Sequence, residues 1–516
     1  MTIAAEAPPT VEKRSLPAVV RRRLAPLEQR LDGNTVLAFG IVTIIAGLLR
    51  FVGLSKPPGK IFDEVYYAVD ANNLWRLGYE WDDKNNTAGY VVHPPLGKWI
   101  IGLGEQMFGY NELGWRFFSA VFGTASVLLF MLVARRLFGS TVLACAAGLL
   151  MTFDGAHFVL SRTALLDIFL MFFCLLGFYF LLLDRDQRRR RWLRFVEDGG
   201  DPAGRGRASR PAFAVPWWRL ATAAAMGLAC SVKWSALFFI PIMALLLMWW
   251  EVGARRSVGV RHPIADTILD EGLWLFACLF IIVGIYITSW SGWLLTDGGY
   301  NRHGLANTGH SEPPFFGALV NLFDYHRQAL GFHTSLDDTH TYQSWPWQWL
   351  LLGRPVAFYW STTDPCAAAS CAAEVVLNGT PLLWWSFLPA LAGLAWLAIS
   401  RRDWRAGAIL GMTLFGWLPW FYYEWTDHRT MFFFYALPFE PFLILAVVYV
   451  LSSLMSSPPE ATTIEADKRR MTGAVVLGAY VMLVALNFAY FYPIFTGQSI
   501  PYDAWMHRMW LGNRWI

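Results

Sequence analysis

Apolar runs alternate with short polar stretches along almost the whole chain. Runs over residues 34–54, 115–133, 141–153, 161–184, 217–231, 235–250, 268–290, 381–399, 407–422, 431–451 and 471–491 predict about eleven membrane helices. The criterion is that a hydrocarbon layer about 30 Å thick takes about 20 helical residues. The predicted class is an all-α polytopic membrane protein. A further apolar run over residues 99–108 is too short to span and predicts a helix lying in the interface.

The polar stretches assign sides. Residues 1–33 are basic and Pro-containing, without a convincing cleavage site, and predict a cytoplasmic tail before an uncleaved first span. Arg21-Arg22-Arg23, Arg135-Arg136, Arg188 to Arg191, Arg255-Arg256, Arg401-Arg402 and Lys468-Arg469-Arg470 recur between spans, as cytoplasmic loops do. The Arg-rich stretch 185–215 is then expected to be a flexible cytoplasmic loop, and residues 55–112 and 291–380 two long extracytoplasmic ones. An odd number of spans leaves the C-terminus extracytoplasmic. No inverted internal repeat of the transporter kind is visible.

Composition agrees. The 516 residues are 55% hydrophobic and 16% charged, with 27 Trp and 38 Phe, which excludes a soluble globular protein. The basic clusters are dispersed between apolar runs, which argues against a nucleic-acid surface. Four of six cysteines, Cys145, Cys174, Cys230 and Cys278, fall in apolar runs as inert thiols. Cys366 and Cys371 lie in the second outer segment, where a disulfide is favoured over a metal because no partner stands at zinc-site spacing. Asn378-Gly379-Thr380 matches a glycosylation acceptor pattern, to which no function is attached.

Groups with chemical content gather at the outer side: Asp63 and Glu64 just past the first span, His93 and Lys98, Asp154, Arg162 and Asp167, and Lys233 at an outer turn. Ionisable groups at membrane depth are costly and tend to be functional. Five residues separate Arg162 from Asp167, about 140° around a helix, so the two are not an obvious pair. A carboxylate that takes a proton and cations that hold an anion suit glycosyl transfer from a lipid phosphate, whose leaving group needs no acid.

Ile61-Phe62-Asp63-Glu64 with Tyr67, His93-Pro94-Pro95-Leu96-Gly97-Lys98, Asp154 followed by Ser161-Arg162 and Leu165-Leu166-Asp167, and Tyr342-Gln343-Ser344 with Pro346-Trp347 together resemble the protein O-mannosyltransferase family, in its actinobacterial form. The resemblance implies one GT-C type glycosyltransferase domain over 34–516, moving mannose with inversion from polyprenyl-phosphate mannose to Ser or Thr of secreted proteins, at or near the secretion channel. It implies Asp63 as catalytic base, Glu64 placing the acceptor, and Arg162 on the donor phosphate with Lys233, His93 and Lys98 shaping its pocket. Asp154, Asp167 and Tyr67 are expected in support. No cofactor is required, although adjacent carboxylates could hold a divalent ion. The alternatives are a related transferase acting on a lipid or cell-wall glycan and, more remotely, a transporter or lipid flippase.

Overall fold

The computed structural model describes residues 18–27, 31–204, 206–314, 316–456 and 462–516. Most of the expected N-terminal tail, residues 1–17 and 28–30, therefore lies outside the described residues.

Among the described residues eight helices are long and apolar enough to cross a membrane: α1 (Gly33–Phe51), α4 (Glu112–Phe138), α7 (Asp167–Glu197), α9 (Trp234–Val258), α10 (Pro263–Ser289), α12 (Pro381–Ser400), α15 (Phe433–Met455) and α16 (Thr463–Thr496). Three further expected spans are shorter helices, α5 (Thr141–Thr152), α8 (Trp217–Cys230) and α13 (Trp404–Trp417), of 12, 14 and 14 residues. At about 1.5 Å per residue these reach about 18 to 21 Å, so length alone does not carry a count of eleven. Side-chain acceptors and glycines set the ends: Asp32 receives the Thr35 amide, Asn111 that of Gly114, and Gly139 closes α4 in the left-handed region. α7 and α15 form the interior, while α10 is lipid-facing, with 6% of its apolar window buried.

One end of the bundle gathers the arginines. Arg136 pairs with Asp186, Arg188 with Glu251 and Glu271, Arg219 with Asp184, and Arg255 with Asp270 and Glu271. The expected flexible loop at 185–215 is corrected here: α7 runs on to Glu197, because its arginines find buried carboxylates on α9 and α10.

The other end carries the two long segments expected to lie outside. The first holds α2 (Glu64–Leu77) and α3 (Leu96–Phe108). Between α5 and α7 stands the short α6 (Gly155–Leu160). The second contains α11 (Phe316–Ser335) and an antiparallel hairpin of β1 (Val356–Ser361) and β2 (Cys371–Leu377), to which β3 (Ile500–Pro501) adds beside β2. Helix α14 (Pro419–Asp427) lies between α13 and α15. Cys366 and Cys371 are disulfide-bonded at the hairpin tip.

Candidate active site

The site grows from the turn that follows α1. Arg116, fully buried on α4, donates to the carbonyls of Leu54, Pro57 and Gly59 at 3.3, 2.8 and 3.0 Å, so one planar cation fixes the turn at three points. It also grips both oxygens of Glu64 at 2.8 Å. Glu64 further accepts the amides of Ile61 and Ala164 at 3.0 and 2.9 Å.

Phe62 is thereby held at φ +46°, a left-handed conformation unusual for an aromatic residue. Its ring stacks on Phe358 of β1 at 4.6 Å and meets Phe432 and Phe434 edge-on. The turn presents Asp63 at the start of α2. Unlike Glu64, Asp63 has a carboxylate that makes no hydrogen bond with any described residue. Burial pushes its acid up to about 6, with the charge of Lys233 opposing and that of Asp167 adding.

Lys233 sits in extended backbone between α8 and α9, and Asp167 opens α7; their side chains pair at 2.8 Å. The Lys233 ammonium also lies 5.4 Å from the rings of Phe434 and Tyr435. One turn along α2 from Asp63, Tyr67 is 6.2 Å from His93, which lies 5.5 Å from His333 of α11. His333 faces the Val92 carbonyl through Nε2 at 3.1 Å and the Arg429 guanidinium through Nδ1 at 3.2 Å, which fits a neutral ring protonated on Nε2. Burial, then Arg429, takes the His333 pKa down to about 4. Burial, then Lys233, keeps His93 well below its ordinary range.

Beside these groups is a cavity of about 170 Å³. His93, Asp167, Lys233, His333, Arg429 and Tyr435 form its polar wall, and Trp234, Leu237, Phe238, Leu330, Trp420 and Tyr423 its apolar one. A pocket cationic on one side and apolar on the other fits an amphiphilic anion.

Of the expected site residues the fold brings together Asp63, Tyr67, His93, Asp167 and Lys233, and sets four others apart. Glu64 has both oxygens filled by Arg116 and two amides, so it shapes the turn and has no side left for an acceptor. Arg162 donates to the carbonyls of Leu49, Arg50, Val52 and Gly53, at 3.0, 2.7, 2.8 and 2.7 Å, and so caps the end of α1 without lining the cavity. Lys98 is buried against Glu80, with Asp70 at 3.8 Å, so its charge is already balanced. Asp154 caps α6 and accepts from the Thr380 amide and the Trp384 indole. His93 remains at the cavity, but as a neutral ring and not a cation.

In the polar wall, His333, Arg429 and Tyr435 are residues that sequence reading did not single out. The histidines of the second outer segment were visible as a group, but nothing marks which one returns to the site. No group of three or more His, Cys, Asp or Glu suited to a metal occurs among the described residues. The adjacent pair Asp63 and Glu64 cannot act together on a cation while Glu64 is held by Arg116.

Comparison with known proteins bears on the same residues. Residues 40–197 match the family model described as dolichyl-phosphate-mannose-protein mannosyltransferase, and residues 318–515 that of the C-terminal four-helix membrane region of protein O-mannosyltransferase. The chain is 37% identical over 509 residues to the polyprenol-phosphate-mannose–protein mannosyltransferase of Mycolicibacterium smegmatis, covering 96% of this chain and 95% of that protein. It is 36% identical over 514 residues to the enzyme of the same name from Mycobacterium tuberculosis, with 96% and 94% covered. In fold it resembles a chain of the Saccharomyces cerevisiae Pmt1-Pmt2 complex bound to the sugar donor, with TM-score 0.71 at 15% identity over 96% of this chain and 94% of that one. It also resembles ArnT from Cupriavidus metallidurans in the apo state, with TM-score 0.51 at 17% identity over 90% and 76%.

Proposed function

The chain belongs to the protein O-mannosyltransferase family, and from that premise we propose how its residues transfer mannose from polyprenyl-phosphate mannose to protein hydroxyls. The donor phosphate lies in the cavity against Lys233 and Arg429, with His93 and His333 as neutral neighbours and the polyprenyl chain along the apolar wall. The acceptor Ser or Thr hydroxyl approaches from the side of Asp63. Asp63 takes its proton as oxygen attacks the anomeric carbon, the bond from that carbon to the phosphate oxygen breaks, and the configuration inverts. The phosphate departs as an anion held by Arg429 and by the Lys233 ammonium, which Asp167 positions, so no acid need protonate it. Asp167 aims the Lys233 ammonium through their 2.8 Å pair, and Tyr67 lies near both Asp63 and His93.

The observation that carries this reading is the contrast between the two adjacent carboxylates: Glu64 is fully bonded, while Asp63 bonds none of the described residues, is raised towards neutrality and lies within electrostatic reach of Lys233. The active face is taken as extracytoplasmic, because the basic clusters of Arg136, Arg188 and Arg255 lie at the other end of the bundle. Acceptors are taken as extended secreted chains, delivered at the secretion channel.

The test incubates membranes carrying the full chain with polyprenyl-phosphate mannose and a Ser/Thr-rich peptide, with and without chelator. Mannosylated peptide is expected in both. No product with the unmodified protein, or product that persists in Asp63→Asn, would overturn the reading.

A further inference from the structure

Thr141 opens α5, and its hydroxyl meets that of Thr35, at the start of α1, at 2.8 Å. From Val36 and Leu37 onward α1 exposes apolar side chains, so the two threonines lie at the level where the hydrocarbon is expected to begin at the arginine end of the bundle. At that level another cavity, of about 570 Å³, opens between the α4–α5 turn, the start of α13, the end of α15 and the start of α16. It lies at the opposite end from Asp63, and the transfer chemistry does not use it.

Its polar lining is Ser140, Arg405, Tyr449, Ser452, Ser456 and Arg470, and among the described residues no carboxylate lines it. Arg405 is the deep anchor. Its Nε donates to the Leu137 carbonyl at 2.7 Å and its guanidinium carbon lies 5.2 Å from the centre of the Trp404 ring, while both terminal nitrogens make no hydrogen bond with a described residue. The neighbouring Asp403 carboxylate is engaged elsewhere, by the Arg405 amide at 2.9 Å and by the Tyr449 hydroxyl. Arg470 stands 71% exposed at the rim, with Asp467 at 3.8 Å. The serines divide by role. Ser140 accepts the Leu143 amide at 3.4 Å and keeps its hydrogen to donate, whereas Ser452 and Ser456 donate to the carbonyls of Tyr449 and Ser452, at 2.6 and 3.5 Å, and offer acceptors only. The cavity thus joins a donor side suited to a phosphate with an acceptor side suited to hydroxyls.

What borders the cavity points to a lipid and not to a soluble anion. Leu143 and Met455 also line it, and Val142, Leu454 and Met471, each next in sequence to a lining residue, are exposed apolar side chains, with Val475 one turn further along α16. We propose that this cavity binds the headgroup of an anionic, hydroxylated glycerophospholipid of the phosphatidylglycerol kind, from the leaflet at the arginine end. Its phosphate lies on Arg405, Arg470 and Ser140, its headgroup hydroxyls on Ser452 and Ser456, and its acyl chains along Val142 and Val475. The bound lipid joins the ends of four helices and stabilises the bundle without touching the transfer site.

The test uses the full-length protein in phosphatidylcholine nanodiscs, titrated with phosphatidylglycerol. Two readouts are taken, the melting temperature and the mapped crosslinks of a photoreactive phosphatidylglycerol. The melting temperature should rise saturably, and crosslinks should fall on residues 137–143 and 449–456. Arg405→Gln should raise the half-saturating fraction of phosphatidylglycerol about tenfold. Arg470→Gln, at an exposed side chain whose loss preserves folding, should raise it about fivefold. Arg256→Gln, at an exposed arginine of the same end outside the cavity, should change nothing, and inorganic phosphate should leave the melting temperature of the unmodified protein where it was. An equal response to inorganic phosphate would assign the cavity to a soluble anion, and an equal loss in Arg256→Gln would assign the effect to general surface charge. Arg470→Gln titrating like the unmodified protein, or crosslinks outside the two segments, would take the lipid out of the cavity. Each of these results overturns the proposal.

Discussion

Glu64→Gln separates two roles for the residue beside the base. In the structure the Glu64 carboxylate receives four hydrogen bonds of 2.8 to 3.0 Å from Arg116, Ile61 and Ala164, with both partners of the ion pair at 0% exposure. Glutamine keeps the shape but offers one acceptor oxygen. Its amide nitrogen must face either the Ile61 amide with one Arg116 donor, or the Ala164 amide with the other. Two buried donors lose their acceptor, and the Arg116 charge loses its counter-ion. Breaking a buried pair from one side costs about 3 to 5 kcal/mol, which corresponds to about two to four orders of magnitude in the population of the correctly formed turn. The expected outcome is a large fall in kcat together with a lowered melting temperature of the purified protein, at unchanged KM for the acceptor peptide. Initial rates over a range of peptide and donor, paired with a thermal melt, measure both. An increased peptide KM at an unaltered melting temperature would show that the side chain faces the acceptor, and would refute its assignment to the turn.

Asp63→Asn should lower turnover by about two to four orders of magnitude with donor binding intact, since it removes proton acceptance and little else. In the unmodified protein, kcat/KM should rise with pH and level off above about 6, because the raised Asp63 acid must ionise before it can accept a proton; a rate flat from pH 5 to 8 would count against that role. Arg429→Ala should weaken donor binding, read by titration with polyprenyl-phosphate mannose, whereas Arg162→Ala should lower stability and leave donor affinity unchanged, as expected of a helix cap. Cys366 and Cys371 should resist alkylation until a reductant is added, and label without one would rule out the bridge in the native protein.

Much of the fold was legible because the contrast between lipid and water is written locally. A run of about 20 apolar residues answers to the thickness of the bilayer whatever it packs against, so the long spans stand where hydropathy puts them. Asp63, Lys233 and the Cys366–Cys371 pair were readable for a similar reason: each interrupts a local pattern, at the end of a span, at a turn, or in an outer loop.

Which cation meets the substrate was not local. The partners of Glu64 and Lys233 lie 52 and 66 residues away in sequence, and those of Arg162 about 110. Arg162 reads as functional in a motif, but the carbonyls at the end of α1 claim its guanidinium, because the last carbonyls of a helix have no partner within the helix. Arg429 reads as one more loop arginine, yet the return of the chain between α14 and α15 sets it beside His333. The sequence by itself determined that this is a membrane enzyme with Asp63 and Glu64 just past its first span; tertiary packing alone decided that Asp63 makes no hydrogen bond with a described residue while Glu64 is consumed, because only the assembled fold supplies or withholds the hydrogen-bond donors.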